Sequence, residues 1–205
     1  MSKKLDQIDI SGWGGYPVQK ARVVYPENIE QILVEIKKGN LIARGNGRAY
    51  GDSSINQKNT INMKYFNHII SFDDNSGVLI VESGILLNDI IKTFLPRGWF
   101  PYVTPGSKFV TVGGSIAADV HGKNHHKEGS FRNFVEWFEI INSKGEIKKC
   151  SKNENSELFA ERAEFSNTNG FLTISKKVKV IDERGVLSAD QLLFDVKKQN
   201  LDIVS

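Results

Sequence analysis

The chain has 205 residues, enough for one large domain or two small lobes with a core that needs no disulfide. Hydrophobic residues make up 40% and charged residues 25%, which excludes a disordered or fibrous chain. A net charge of +3 is too mild for nucleic acid as the main partner, the single cysteine, Cys150, excludes an intrachain disulfide and a cysteine-built zinc site, and no apolar run reaches the roughly 18 residues of a membrane span.

Residues 22–25 read as a short strand and residues 26–38 as a helix. Ile29, Ile32, Leu33 and Ile36 form one apolar stripe at i, i+3, i+4 and i+7. Glu27 in the first turn and Lys37 and Lys38 in the last suit the helix dipole, and Gly39 suits the position that ends the helix. Residues 41–44 return as a strand, which closes a compact αβ unit. Short β-type runs follow at 60–63, 68–72 and 78–82, the last two joined by the turn Asp73-Asp74-Asn75-Ser76-Gly77. Residues 86–95 predict a helix with Leu87, Ile90, Ile91 and Phe94 on one side, ended by Pro96 and Gly98. Residues 134–141 and 147–150 read as strands around the turn Asn142-Ser143-Lys144-Gly145, and residues 172–181 as a last strand. Ser188 with Gln191 three residues later is a capping box and predicts a C-terminal helix and tail over 182–205. On that helix Leu192, Leu193 and Val196 form a stripe for docking or for packing on the core. The class is α+β, with strands outnumbering helices.

Arg44-Gly45-Asn46-Gly47-Arg48-Ala49-Tyr50-Gly51-Asp52 follows a strand. Its glycines run G-x-G-x-x-x-G, one residue off the dinucleotide fingerprint, and no helical pattern follows at 53–58. The stretch is either an anion cradle, whose backbone N–H groups converge on phosphate oxygens, or a tight turn. A second small-residue stretch comprises Pro105-Gly106-Ser107 and then Thr111-Val112-Gly113-Gly114-Ser115-Ile116-Ala117-Ala118-Asp119-Val120-His121-Gly122. Small side chains let a flat or phosphorylated ligand touch backbone, and they equally permit close packing of elements. Two such loops in one small chain favour a large, extended cofactor over two coincidental turns.

Three of the four histidines fall in His121-Gly122-Lys123-Asn124-His125-His126-Lys127. His121 and His125 are four apart, but Gly122 breaks a helix and no carboxylate or thiolate completes a zinc set, so no metal is expected. The cluster is then a basic surface loop or the polar, titratable rim of an active site. Cys150 closes a polar β-run with no acid–histidine set beside it, and reads as structural or merely exposed.

At these residues the chain resembles the FAD-linked oxidases of the vanillyl-alcohol oxidase superfamily, and within them the branch of decaprenylphosphoryl-β-D-ribose 2-oxidase-like proteins. The motifs at 44–52, 105–107, 111–114 and 121–126 carry the likeness, and Ser11-Gly12-Trp13-Gly14 fits it. The resemblance implies a two-lobed PCMH-type FAD-binding domain over 12–181. A small αβ lobe would take about 12–75, and a larger, mainly antiparallel sheet lobe with flanking helices about 76–181. It implies FAD held non-covalently, because Arg48 and Ala49 stand where many relatives place a flavin-linking histidine. By the same likeness Arg44, Gly45, Asn46, Gly47, Arg48, Ala49, Tyr50, Gly51 and Asp52 would hold the pyrophosphate. Pro105, Gly106, Ser107, Val110, Thr111, Gly113 and Gly114 would line the pyrophosphate and ribityl path. Ala118, His121, Gly122 and Asn124 would lie near the isoalloxazine. A third glycine-rich stretch of the relatives maps to 166–174, where Asn169 and Gly170 survive and Thr173 replaces a glycine.

The resemblance further implies an oxidoreductase domain that moves a hydride from a CH–OH group, as in sugar-alcohol and decaprenylphosphoryl-ribose oxidases, to flavin. His121 and Lys123 are the catalytic candidates, one to exchange a proton near neutral pH and the other to stabilise developing negative charge; packing on the cofactor is the competing role. Relatives carry a second domain that caps the flavin, and this chain is expected to lack it. A polypeptide supplying that substrate domain is therefore the expected partner besides FAD. The alternatives are a non-catalytic flavin-binding module or partner subunit, and an aldonolactone oxidase-like fragment. Residues 1–10 hold no apolar segment of signal-peptide length, so a cytoplasmic protein is expected.

Overall fold

Alternating side chains bury one face of a strand, and β2 (Val18–Val24) does so with Ala21 and Val23 while Val18 and Lys20 stay exposed. In the computed structural model residues 7–151 are described in full, together with the backbone of strands at 157–159, 162–166, 171–182, 185–195 and 200–204. β2 pairs antiparallel with β1 (Gln7–Ser11), Gln7 opposite Arg22 and Ser11 opposite Val18. On its other edge it runs parallel to β4 (Thr60–Asn62), which runs parallel to β3 (Ile42–Arg44), giving the order β1-β2-β4-β3.

α1 (Ile29–Lys37) links β2 to β3 and starts where Asn28 caps it, Oδ1 accepting from the Gln31 N–H at 3.0 Å. Gly39, at φ +70, ends it as the sequence suggests. Its buried face carries Ile32 and also Glu35. Glu35 accepts from Arg22 Nη1 at 2.7 Å and Nη2 at 3.0 Å, and from Lys38 Nζ at 2.7 Å. Arg22 also donates to Asn59 Oδ1, and Asn59 Nδ2 donates to the Glu35 carbonyl at 3.3 Å. The Arg22 fork holds the Glu35 carboxyl down to about 2 against the opposing effect of burial. One charge network thus ties α1, β2 and the entry to β4 together.

β5 (Ile69–Phe72) and β6 (Leu79–Val81) form a hairpin, followed by α2 (Leu87–Phe94). Ile85, Leu87, Ile90 and Phe94 make the core there, covered by Phe72, Leu79, Val81, Trp99, Val110, Val112 and Phe131. Phe72 lies between Phe94 and Trp99, with ring centroids 4.5 and 5.4 Å away. Two short helices then interrupt the small-residue region, α3 (Val112–Ala117) and α4 (His125–Glu128). β7 (Trp137–Ile141) and β8 (Ile147–Ser151) pair as the expected hairpin.

The chain divides into two compact units, residues 1–135 with 139–148, and residues 136–138 with 149–205. The second contains a sheet in the order β10-β11-β12-β13, built from β10 (Arg162–Ser166), β11 (Phe171–Asp182), β12 (Gly185–Asp195) and β13 (Asn200–Val204), with β9 (Glu157–Phe159) also pairing with β11. Here the expected C-terminal helix is replaced by strands. Ser188 lies opposite Lys179 and Gln191 opposite Ser175, both in extended backbone, so the capping box does not form. Leu192 and Leu193 lie opposite Ile174 and Thr173 as strand residues, not as a helical stripe; Val196 falls outside the described residues. A capping box satisfies two backbone groups, whereas β12 is hydrogen-bonded on both edges, to β11 and β13.

Candidate functional site

The chain leaves β3 at Arg44 and turns through the first glycine loop. Arg44 is directed inward: Nη2 donates to the Ser11 carbonyl at 2.7 Å and Nη1 to Ser54 Oγ at 3.2 Å. Burial pulls its pKa below the ordinary arginine value. Gly47, at φ +66, lies against this guanidinium, 2.5 Å from where a Cβ would sit. Arg44 is therefore a strut within the loop. Gly12 supports the other end, where an added Cβ would run into the carbonyls of Gly51 and Ala49. Trp13 N–H donates to the Ala49 carbonyl at 2.8 Å, and the Arg48 guanidinium stands 4.6 Å from the Trp13 ring centroid. Ser53 Oγ donates to the Tyr50 carbonyl at 3.0 Å, and the Tyr50 side chain is exposed. Asp52 accepts the Ile55 N–H on its carbonyl. The N–H groups of Asn46, Gly47 and Arg48 donate to no acceptor among the described residues.

The second loop touches the first. An added Cβ on Gly45 would overlap Thr111 Oγ1, and Asn46 Nδ2 donates to the Phe109 carbonyl at 2.9 Å. Thr111 caps α3, its Oγ1 accepting from Gly114 N–H at 3.2 Å. The Val112, Gly113 and Ser115 N–H groups donate to the carbonyls of Ile85, Ser83 and Thr111 at 2.9, 2.7 and 2.8 Å. The opening amides of α3 are thus engaged within the protein, and Gly113 is pressed against Ser83. Val110 packs on the α2 core. Pro105-Gly106-Ser107 differs. Ser107 Oγ accepts from Phe109 N–H at 3.2 Å, but nothing lies within 4 Å of an added Cβ on Gly106, and its φ is not left-handed. Neither packing nor conformation explains a glycine at 106.

After α3 ends at Ala118, Asp119 takes φ +41 and redirects the chain. Its Oδ2 accepts from Ser130 Oγ at 2.9 Å and its Oδ1 from Arg132 N–H at 3.0 Å. That backbone hydrogen bond, above all, keeps its carboxyl below the usual carboxylate range. His121 bridges to Ser130, and between them the chain loops out. Gly122 sits tight against the Thr104 carbonyl, and Asn124 Nδ2 donates to the Tyr102 carbonyl at 3.0 Å. The His121 and His125 rings are 5.1 Å apart between centroids, and those of His125 and His126 6.1 Å. Lys123 is exposed and makes no ion pair among the described residues. No group of three or more His, Cys, Asp or Glu among the described residues could hold a metal.

Residues 11–13, 44–54, 102–114 and 119–132 are thus joined pairwise through these contacts, so the motif residues form one neighbourhood. Asn169 and Gly170 lie outside the described residues. Sequence reasoning missed Ser83, whose carbonyl holds α3, and the Tyr102 carbonyl that anchors Asn124; a backbone acceptor leaves no mark on the sequence.

Residues 20–151 match the FAD binding domain family. The chain belongs to that family. Over 158 residues this FAD binding domain is 36% identical to decaprenylphosphoryl-β-D-ribose oxidase of Mycolicibacterium smegmatis, covering 73% of the chain and 34% of that protein. It is 33% identical over 103 residues to D-lactate dehydrogenase of Anaerostipes hadrus, covering 50% and 22%. A solved alkyldihydroxyacetonephosphate synthase shares the fold, with TM-score 0.54 and 19% identity over 65% of this chain and 27% of that one. The chain therefore spans about a third of the length of the Mycolicibacterium relative. The fold is the α+β PCMH-type FAD-binding class, and the cofactor of the domain is FAD.

The geometry fits that cofactor in two places. The unengaged amides of Asn46, Gly47 and Arg48 are a donor set suited to a diphosphate. Gly106 keeps backbone open to close approach where the fold itself asks for nothing. In this FAD binding domain Arg44 shapes the loop, while Thr111, Gly113 and Gly114 bring α3 close to its neighbours.

Proposed function

We propose that this domain holds FAD non-covalently, with the diphosphate on the amides of Asn46, Gly47 and Arg48 and beside Gly106. We read it as serving an oxidoreductase that acts on CH–OH donors. The observation that carries the reading is the contrast between the two loops. The amides of Asn46, Gly47 and Arg48 are unengaged, while those opening α3 are all engaged. When bound, FAD supplies the acceptor for a hydride.

The remaining roles fall to the 121–126 turn. His121 would take the hydroxyl proton of the donor on an imidazole nitrogen. Lys123 would place its ammonium near developing negative charge. Support for both is their place on one exposed turn, tied by Asn124 and Gly122 to the segment leading into Gly106. The FAD-binding unit is read as 12–181, with lobes at about 12–75 and 76–181. The named relatives that include a sugar-phosphate oxidase and a D-lactate dehydrogenase support a hydroxyl-bearing substrate. The substrate-holding part is assigned to another polypeptide or a further domain, for which a relative matched over only 34% of its length has room. No helix among the described residues is long and apolar enough to cross a membrane, and a cytoplasmic setting completes the reading.

The test is an absorbance spectrum of the purified protein, before and after acid precipitation. Flavin released to the supernatant is the expected result. Flavin retained in the pellet would overturn the non-covalent assignment, and a colourless protein that takes up no added FAD would overturn the reading as a whole.

A further inference from the structure

We propose that Asp119 is the positioning residue that fixes the loop presenting His121, Lys123 and Asn124 to the flavin; the role rests on the reading of the site given above. The loop runs from 121 to 130 and its two ends lie side by side, His121 bridging Ser130 and Phe131 N–H donating to the Val120 carbonyl at 2.8 Å. Such a loop has a shape only if its base is closed. The Asp119 side chain adds to that backbone closure. Its Oδ2 takes Ser130 Oγ at 2.9 Å and lies 3.5 Å from Arg132 Nε, and its Oδ1 takes Arg132 N–H at 3.0 Å. Each of these contacts runs from the start of the loop to its end.

The carboxylate has no local backbone duty that would explain it otherwise. The Asp119 N–H goes to the Ile116 carbonyl and the Val120 N–H to the Ser115 carbonyl, so α3 ends without help from the side chain. The backbone at Asp119 is left-handed, φ +41, a conformation that Asp and Asn tolerate better than other residues with a Cβ. A residue that both turns the chain and reaches across with a side-chain acceptor is needed there, and aspartate supplies both. Beyond the base, the loop is tied by Asn124 to Tyr102, by Asn133 Nδ2 to the Glu128 carbonyl at 3.2 Å, and by its own helical turn. The direction in which His121 leaves the base is set where Asp119 holds Ser130.

Two variants separate the carboxylate from the backbone turn. Asp119→Gly keeps positive φ accessible and removes both acceptors; Asp119→Asn keeps the turn and the acceptor for Arg132 N–H. The first measurement needs no cofactor: amide hydrogen exchange of the full chain. In Asp119→Gly the amides of His125, Glu128, Gly129 and Phe131 should exchange about tenfold faster, through the loss of every side-chain hydrogen bond across the base, with β2 and β4 unchanged. Asp119→Asn should stay within about threefold of the parent. The second is FAD titration. Asp119→Gly should bind about tenfold more weakly, and the visible band of its bound flavin should move toward that of free flavin, with Asp119→Asn restoring both. Unchanged loop exchange in Asp119→Gly, or exchange raised equally throughout the chain, overturns the proposal. So does a loosened loop with unaltered FAD affinity and spectrum. If the parent protein takes up no FAD, the site reading fails, and the exchange data alone decide whether Asp119 closes the loop.

Discussion

Glu35 offers the sharpest test of how the sheet that carries the glycine loop is held. The residue is buried on α1 and receives the Arg22 fork from β2 and the Lys38 ammonium. Its carboxyl is held down to about 2, against a reference of 4.5. Each pH unit of displacement corresponds to about 1.4 kcal/mol, so ionised Glu35 stabilises the fold by about 3 kcal/mol at neutral pH. Lys38 is half exposed and its share is screened by solvent, so about 2–3 kcal/mol is the working figure. Because the folded pKa is depressed, the contribution is complete above the unfolded value and is lost as pH falls toward the folded one. The window runs from about pH 5 down to about pH 2. Glu35→Gln should therefore lie below the parent in urea denaturation at pH 7, and about 2 kcal/mol of that gap should disappear by pH 3. Other carboxylates titrate in both proteins and cancel in the difference. A gap between parent and Glu35→Gln that is the same at pH 7 and pH 3 would refute the reasoning, since it would mean that Arg22 does not hold an ionised partner.

Gly106→Ala should weaken FAD binding by about tenfold while leaving the thermal midpoint unchanged, because the added methyl meets nothing in the protein and can only meet a ligand. Unaltered affinity would remove Gly106 from the site. Gly47→Val puts a β-branched residue at φ +66 and against the Arg44 guanidinium, at a cost of about 1–3 kcal/mol in loop strain. Purified Gly47→Val should carry no flavin by absorbance, and full occupancy would contradict the cradle. Cys150→Ser should leave the flavin content as it is, and a loss on titration would reveal a role for the thiol that its place in β8 does not show.

Much of the first unit could be read from local chemistry. The α1 helix and its Gly39 end are read from neighbours three or four positions apart, but the helix starts one turn later than the sequence suggests: Asn28 caps it, Glu27 lies before it, Glu30 is the acid of its first turn, and Ile29 of the expected stripe is exposed. The glycine loop was equally legible, because its spacing is a local property. The intramolecular partners of Arg44, Ser11 and Ser54, are not legible, because nothing near Arg44 in the sequence announces Ser11. α3 escaped notice because Gly113 and Gly114 weaken any helical pattern; it forms on the Thr111 cap and on carbonyls from 83 and 85. β12 shows the reverse error. Ser188 and Gln191 carry a local helix signal that pairing with the neighbouring strands β11 and β13 overrides, and spacing within one segment does not reveal partners on another element. Buried Glu35 was invisible for the same reason, since its partner Arg22 lies on a different element.

The inward-turned Arg44 has a kinetic consequence. With Ser11, Gly12, Trp13 and Ser54 bracing it, the loop has its curvature before any ligand arrives. The entropy of ordering it has been settled during folding and does not recur at each binding event. On the diphosphate placement proposed above, binding to the Asn46, Gly47 and Arg48 amides would need no rearrangement of the loop. Differences in affinity among variants of this loop then appear mainly as differences in residence time. On the same reading Arg44 and Ser54, which give their polar groups to the loop itself, would set how long a ligand stays by keeping the loop in that shape.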